Sequence, residues 1–90
     1  MNIVLKPRAL KNLAAIERYL QSEFGSKVKG KFVLRLREAL YLLSKNPYLG
    51  KVYGSVRRYV VSKEISIIYE VEENTLVVLF FWDNRRKPLW

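Results

Sequence analysis

T-L-V-V-L-F-F-W-D-N-R-R-K-P, residues 75–88, is the stretch on which the fold turns. From Leu76 to Trp82 every side chain is apolar. In a strand, Leu76, Val78, Phe80 and Trp82 face one way, and Val77, Leu79 and Phe81 the other. A strand apolar on both faces is covered on both, which places it near the middle of a sheet. The apolar run stops at Asp83, and Arg85, Arg86 and Lys87 form a basic tip beyond it.

The rest of the chain reads as cover for that strand. Asn2–Lys6 alternates and predicts a short strand. Pro7 suits a first helical turn, where its missing N–H costs nothing. Leu10, Leu13, Ile16 or Glu17, Leu20 and Phe24 then recur at helical spacing, and Gly25 is a natural stop. Ser26 is placed to cap a second helix striped by Val28, Phe32, Leu36, Leu40 and Leu43, which Asn46-Pro47 ends. Residues 47–55 are the one long loop. Strands are predicted at Val56–Val61 and Ile65–Val71, with Glu72-Glu73-Asn74 turning into the last strand. The order β-α-α-β-β-β implies an α+β fold, a helical hairpin packed on a small, mostly antiparallel four-stranded sheet.

Composition bounds the function. Ninety residues make one domain, and half of them are hydrophobic, enough for a core. No apolar run reaches the length of a membrane span, and the N-terminus lacks the basic-then-apolar order of a signal peptide, so a cytoplasmic protein without membrane association is expected. There is no cysteine and no histidine. Thiol chemistry, Ser-His and Cys-His arrangements and the usual zinc ligands are therefore excluded, and no metal or organic cofactor has a ligand set. Any chemistry must use Lys, Arg, Tyr, Asp or Glu. The net charge is +9, and it is uneven: residues 1–50 carry +7 and residues 51–90 carry +2. Such a field draws polyanions, either nucleic acid or an acidic protein segment. Lys27, Lys31 and Arg35 add a basic ridge at i, i+4, i+8 along the second helix, a solvated face or a seat for an acidic partner.

The chain resembles the RelE/ParE superfamily of type II toxin–antitoxin toxins. The helical hairpin is followed by L-x-x-N-P-x-x-G (Leu43 to Gly50), then by R-x-x-V-V-x-K-x-x-S-I-I-Y (Arg57 to Tyr69) and the organising strand. This ordered set covers nearly the whole chain. The resemblance implies a basic toxin held by a cognate acidic antitoxin, partly disordered, whose amphipathic segment folds over the sheet or the hairpin groove. RelE-like members cut mRNA on the ribosome. ParE-like members share the fold and poison DNA gyrase.

RNA cleavage needs a base for the 2′-OH, an acid for the leaving oxygen and positive charge on the transition state. The resemblance implies Arg85 and Arg57 for that charge, with Lys63 and Lys51 as further catalytic candidates. Arg58, Arg86, Lys87, Lys27, Lys31, Arg35 and Trp90 are candidates for contacting RNA or a protein target. Alternation puts Arg57 and Arg58 on opposite faces. Asp83 is expected to pair with Arg85 and fix its direction. Two departures stand out: Ser66 replaces the arginine that RelE-like members carry before the tyrosine, and no Tyr or His follows Arg85. The expectation is a translation-blocking, ribosome-dependent mRNA endoribonuclease. The alternatives are a ParE-like toxin that binds gyrase without chemistry of its own, or a degenerate member that only binds antitoxin.

Overall fold

The computed structural model describes residues 1–85. Its elements are β1 (Asn2–Leu5), α1 (Pro7–Phe24), α2 (Ser26–Lys45), β2 (Lys51–Tyr53), β3 (Val56–Val60), β4 (Ile65–Glu72) and β5 (Thr75–Asp83). The strands form one sheet in the order β1-β5-β4-β3-β2, with β1 parallel to β5 and every other pair antiparallel. The class is α+β as the sequence predicts, but the sheet has five strands, not four. The additional strand, β2, lies inside the segment expected to be a loop. At three residues it is too short for alternation to reveal, and it forms by pairing Lys51 with Arg58 and Tyr53 with Val56 across the turn at Gly54.

Gly25 separates the helices with φ of +89°, a conformation that favours glycine. Its N–H donates to the carbonyls of Leu20 and Gln21, closing α1, while its own carbonyl accepts from Lys29 N–H. Gly25 therefore occupies the capping position of α2, and Ser26, the expected cap, is already helical and makes no capping bond. At the far end Asn46 closes α2 with its backbone N–H on Leu42 and Leu43 and its side-chain amide on Leu42.

The core lies between the hairpin and one face of the sheet. Ala9, Leu36, Ala39 and Leu43 from the helices meet Ile65, Ile67, Tyr69, Leu76, Val78 and Phe81 from β4 and β5. On α1 the buried stripe runs through Ala9, Leu13 and Ile16, whereas Leu10 and Phe24, expected to be inside, are more than half exposed.

The interior position of β5 is as the sequence predicts; its faces are not. Ile68 pairs with Phe80 while Tyr69 pairs with Val78, so Leu79 is an extra residue in a β-bulge. Past it the alternation reverses. Phe81 joins Leu76 and Val78 on the helix side, and Phe80 and Trp82 lie on the opposite side, in edge-to-face contact. On the other edge of β5 the pairing with β1 ends just before the bulge, at Leu5 and Val78. Asn12 of α1 takes over, its Oδ1 accepting the Phe81 N–H at 3.1 Å.

Candidate functional site

Three places in this frame collect polar or apolar groups in unusual density. The first is on the sheet face turned away from the helices. Ser66 on β4 is fully buried, and its Oγ donates to Asn84 Oδ1 at 2.6 Å while accepting from Arg58 Nε at 3.0 Å. Arg58 Nη2 donates to the same Asn84 oxygen at 3.0 Å, and Asn84 Nδ2 donates to the Ser62 carbonyl. A hydroxyl is the side chain that fits beneath the guanidinium and bridges it to Asn84. The departure at Ser66 is thus part of a closed hydrogen-bond network in which Arg58 ties the β3 and β4 strands to the end of β5.

The second lies on the helix side, after α2. Tyr69, buried in the core, donates its hydroxyl proton to the Pro47 carbonyl at 2.7 Å and accepts the Gly50 N–H at 2.8 Å. Burial pushes the Tyr69 phenol above its ordinary pKa, opposed by the Gly50 N–H and the charge of Arg57. Arg57 Nη1 donates to the carbonyls of Tyr48 at 3.2 Å and Gly50 at 2.9 Å, and its guanidinium stands 5.0 Å from the centre of the Tyr48 ring. Gly50 is required by space: a Cβ there would lie 2.6 Å from the Tyr69 hydroxyl. The N-P-x-x-G run noticed in the sequence is a turn clamped by two side chains from the sheet.

The third is a groove of about 870 Å³ between α1, the first half of α2 and the ends of β4 and β5. Tyr19, Leu20, Phe24, Val28 and Phe32 give it an apolar lining, and Arg8, Lys31, Arg35 and Arg85 stand around it with Glu64 and Asp83. Within that lining Tyr19 and Phe24 stand edge to face, their ring centres 6.1 Å apart. Arg85, exposed, is held by Asp83 as the sequence predicts: Nε and Nη2 each reach a carboxylate oxygen at 2.9 Å. The hydrogen bond and charge of Asp83 raise the guanidinium pKa further above its ordinary value.

Of the four candidate catalytic cations, Arg57 and Lys51 lie on opposite faces of the sheet, and Lys63 and Arg85 at one end of it. Arg57 faces the helices and is engaged with loop carbonyls. Lys51 lies beside Arg58 on the other side of the sheet, 5.6 Å from the Tyr53 ring centre. Lys63 is exposed in the β3–β4 turn, at the end of the sheet where Arg85 follows β5. Arg57 and Arg58 occupy opposite faces, as alternation requires. Of the expected binding residues, Lys31 and Arg35 line the groove and Lys27 is exposed in the first turn of α2. Arg86, Lys87 and Trp90 lie outside the described residues. Sequence reasoning missed Asn12, Asn84, Tyr19 and Tyr48. The signal for the aromatic pair was present, since each is a large ring off the apolar stripe of its helix or inside a polar turn.

Among the described residues no three His, Cys, Asp or Glu side chains cluster as a metal site, and no helix is long and apolar enough to cross a membrane.

Comparison with known proteins follows the same frame. Residues 3–88 match the family described as the ParE toxin of the type II toxin–antitoxin system parDE. Among solved structures, the chain is similar to one from the chromosomal ParDE system of P. aeruginosa, with a TM-score of 0.77 at 19% identity over 92% of this chain and 95% of that one. It is also similar to a chain of the YoeB–YefM toxin–antitoxin heterotetramer from Staphylococcus aureus, with a TM-score of 0.62 at 19% identity over 89% and 92%. A copper-bound mutant toxin from Helicobacter pylori gives a TM-score of 0.63 at 18% identity over 94% and 96%. No curated protein sequence matches the chain significantly. Identities this low carry the fold alone, and the family match carries membership: the chain belongs to the ParE toxin family of type II toxin–antitoxin systems.

Proposed function

We propose that this toxin inhibits growth by binding a cytoplasmic protein target, DNA gyrase by the ParE resemblance, and that it cuts no RNA. The observation that carries this reading is that Arg57, Arg58 and Arg85 are each already engaged by hydrogen bonds within the fold. Among the described residues Arg57 serves a turn, Arg58 a buried serine–asparagine network and Arg85 an aspartate, with Lys51 beside Arg58 and Lys63 at the sheet end where Arg85 follows β5. A phosphorane-like transition state needs charge focused on one point, with a base and an acid beside it. Tyr69 and Arg85 are both shifted upward, away from the range in which either exchanges protons near neutrality.

The groove is the seat of the antitoxin in this reading. Its apolar lining and surrounding cations suit an amphipathic helix with acidic flanks, which folds as it binds and is captured faster at low salt. The test is a supercoiling assay with purified gyrase and purified toxin. Loss of supercoiling as the toxin approaches stoichiometry with gyrase is expected. Undiminished supercoiling at every concentration, from a preparation that arrests growth when expressed, overturns the gyrase target.

A further inference from the structure

Residues 39–63 contain five Lys or Arg and no Asp or Glu; the nearest carboxylates in sequence are Glu38 and Glu64. Within this stretch Tyr41, Leu42, Tyr48, Leu49 and Val52 are each 40–67% exposed. Single exposed apolar side chains are ordinary. Five large ones within twelve residues, at the end of α2, in the turn after it and on β2, mark out a patch.

That patch is built rigidly. Tyr69 and Arg57 hold residues 47–50 through four hydrogen bonds, and Gly50 has no room to move toward Tyr69. Tyr48 and Leu49 are the two residues of the turn that point outward from this clamp. An aromatic side chain already fixed in place loses little entropy on binding, which is what an interface anchor requires. The patch shares no residue with the groove. Alpha-helix α2 gives Val28, Lys31, Phe32 and Arg35 to the groove and Tyr41, Leu42 and Lys45 to the patch, and Val28 and Tyr41 are about 20 Å apart along the helix axis.

We propose that the Tyr48–Leu49 turn, with Tyr41 and Leu42 beside it, is the surface that grips the inhibited target: a folded protein presenting an apolar pocket with an acidic rim. This rests on the binding reading above. Charge decides among occupants. A second copy docked on the same face would set Lys45 and Arg57 against their own copies, with only Glu38, one helical turn before Tyr41 and Leu42, near enough to answer them. Nucleic acid fits the charge but not the chemistry. Leu42, Leu49 and Val52 offer nothing to a base or a phosphate, and Arg57 and Lys45 already sit near the rings of Tyr48 and Tyr41, at 5.0 and 5.5 Å. An acidic protein surface uses both the cations and the aliphatic groups.

The experiment compares wild type with two variants, Tyr48→Ala/Leu49→Ser and Lys45→Glu, at matched expression in a bacterial host. Melting temperature is measured for each, with binding of oligouridylate RNA as a second readout. Both variants are expected to keep the wild-type melting temperature within a few degrees and to need roughly tenfold more protein for equal growth arrest. Wild-type arrest by both variants overturns the proposal, whatever the target is. Loss of arrest accompanied by loss of oligouridylate binding makes the surface a nucleic-acid one and overturns it also. If wild type arrests growth but spares gyrase, only the gyrase reading falls, and weakened variants still support the patch. A wild-type chain that does not arrest growth overturns both.

Discussion

Replacing Tyr69 with Phe deletes one oxygen and leaves the ring in the core. In the folded chain that oxygen donates to the Pro47 carbonyl at 2.7 Å and accepts from the Gly50 N–H at 2.8 Å, and Gly50 is buried. Water cannot readily replace the lost partner. A buried backbone donor left unsatisfied costs about 1–3 kcal/mol, and in a domain of this size each kcal/mol lowers the melting temperature by about 4–8 °C. Urea unfolding at pH 7 should therefore give a midpoint shifted by that cost with an unchanged slope. The difference also depends on pH. Burial holds the Tyr69 phenol protonated above the pH at which an unfolded tyrosine ionises. The stability of the neutral hydroxyl is thus fully present below about pH 10 and is lost as pH rises toward the folded pKa. The gap between wild type and Tyr69→Phe should therefore narrow as pH rises through that value. Gly50→Ala attacks the same contact from the other side, because its Cβ would lie 2.6 Å from the hydroxyl. The two changes should cost less together than the sum of each alone. A Tyr69→Phe variant within about 0.5 kcal/mol of wild type at pH 7, or a gap that does not narrow in alkali, refutes the clamp.

Three further outcomes follow from the same contacts. Asn12→Ala strips the acceptor from the Phe81 N–H and should cost about 1–2 kcal/mol in urea, although Asn12 and Phe81 lie on different layers. Arg85→Ala breaks an exposed ion pair and should leave the melting temperature unchanged within error. Ser66→Arg, which writes in the arginine that RelE-like sequences carry, should destabilise by about 2 kcal/mol or more, because the site is buried and already filled by Arg58 and Asn84. It should not produce cleavage of mRNA, as judged by 5′-end mapping.

Much of the frame was legible because it rests on local signals. Pro7, Gly25 and Asn46-Pro47 mark the helix ends at the chain level, and the apolar density of residues 76–82 marks an interior strand. What was not legible depends on partners distant in sequence. The bulge at Leu79 follows the point where β1 ends, and beyond it Asn12, 69 residues away, accepts the Phe81 N–H. Once the bulge is present, Phe80 and Phe81 exchange faces, and no periodicity within β5 records that. The short β2 exists only by pairing with β3. The site followed the same division. The pairing of Asp83 with Arg85 spans two residues and was readable. The uses of Arg57 and Arg58 were not, since one is fixed by carbonyls of the turn at Tyr48 and Gly50 and the other by Ser66 and Asn84. Charge alone made those arginines look available, and their hydrogen bonds show them engaged.

The central claim is that this toxin acts by grip and not by cleavage. The most direct measurement is a reconstituted translation reaction with the purified toxin, in which the 5′ ends of the mRNA are mapped before and after its addition. The account predicts an unchanged set of ends at toxin concentrations in excess of ribosomes. New ends inside ribosome-occupied codons, lost in Arg85→Ala or in Lys63→Ala, would contradict it and restore those cations to a catalytic role.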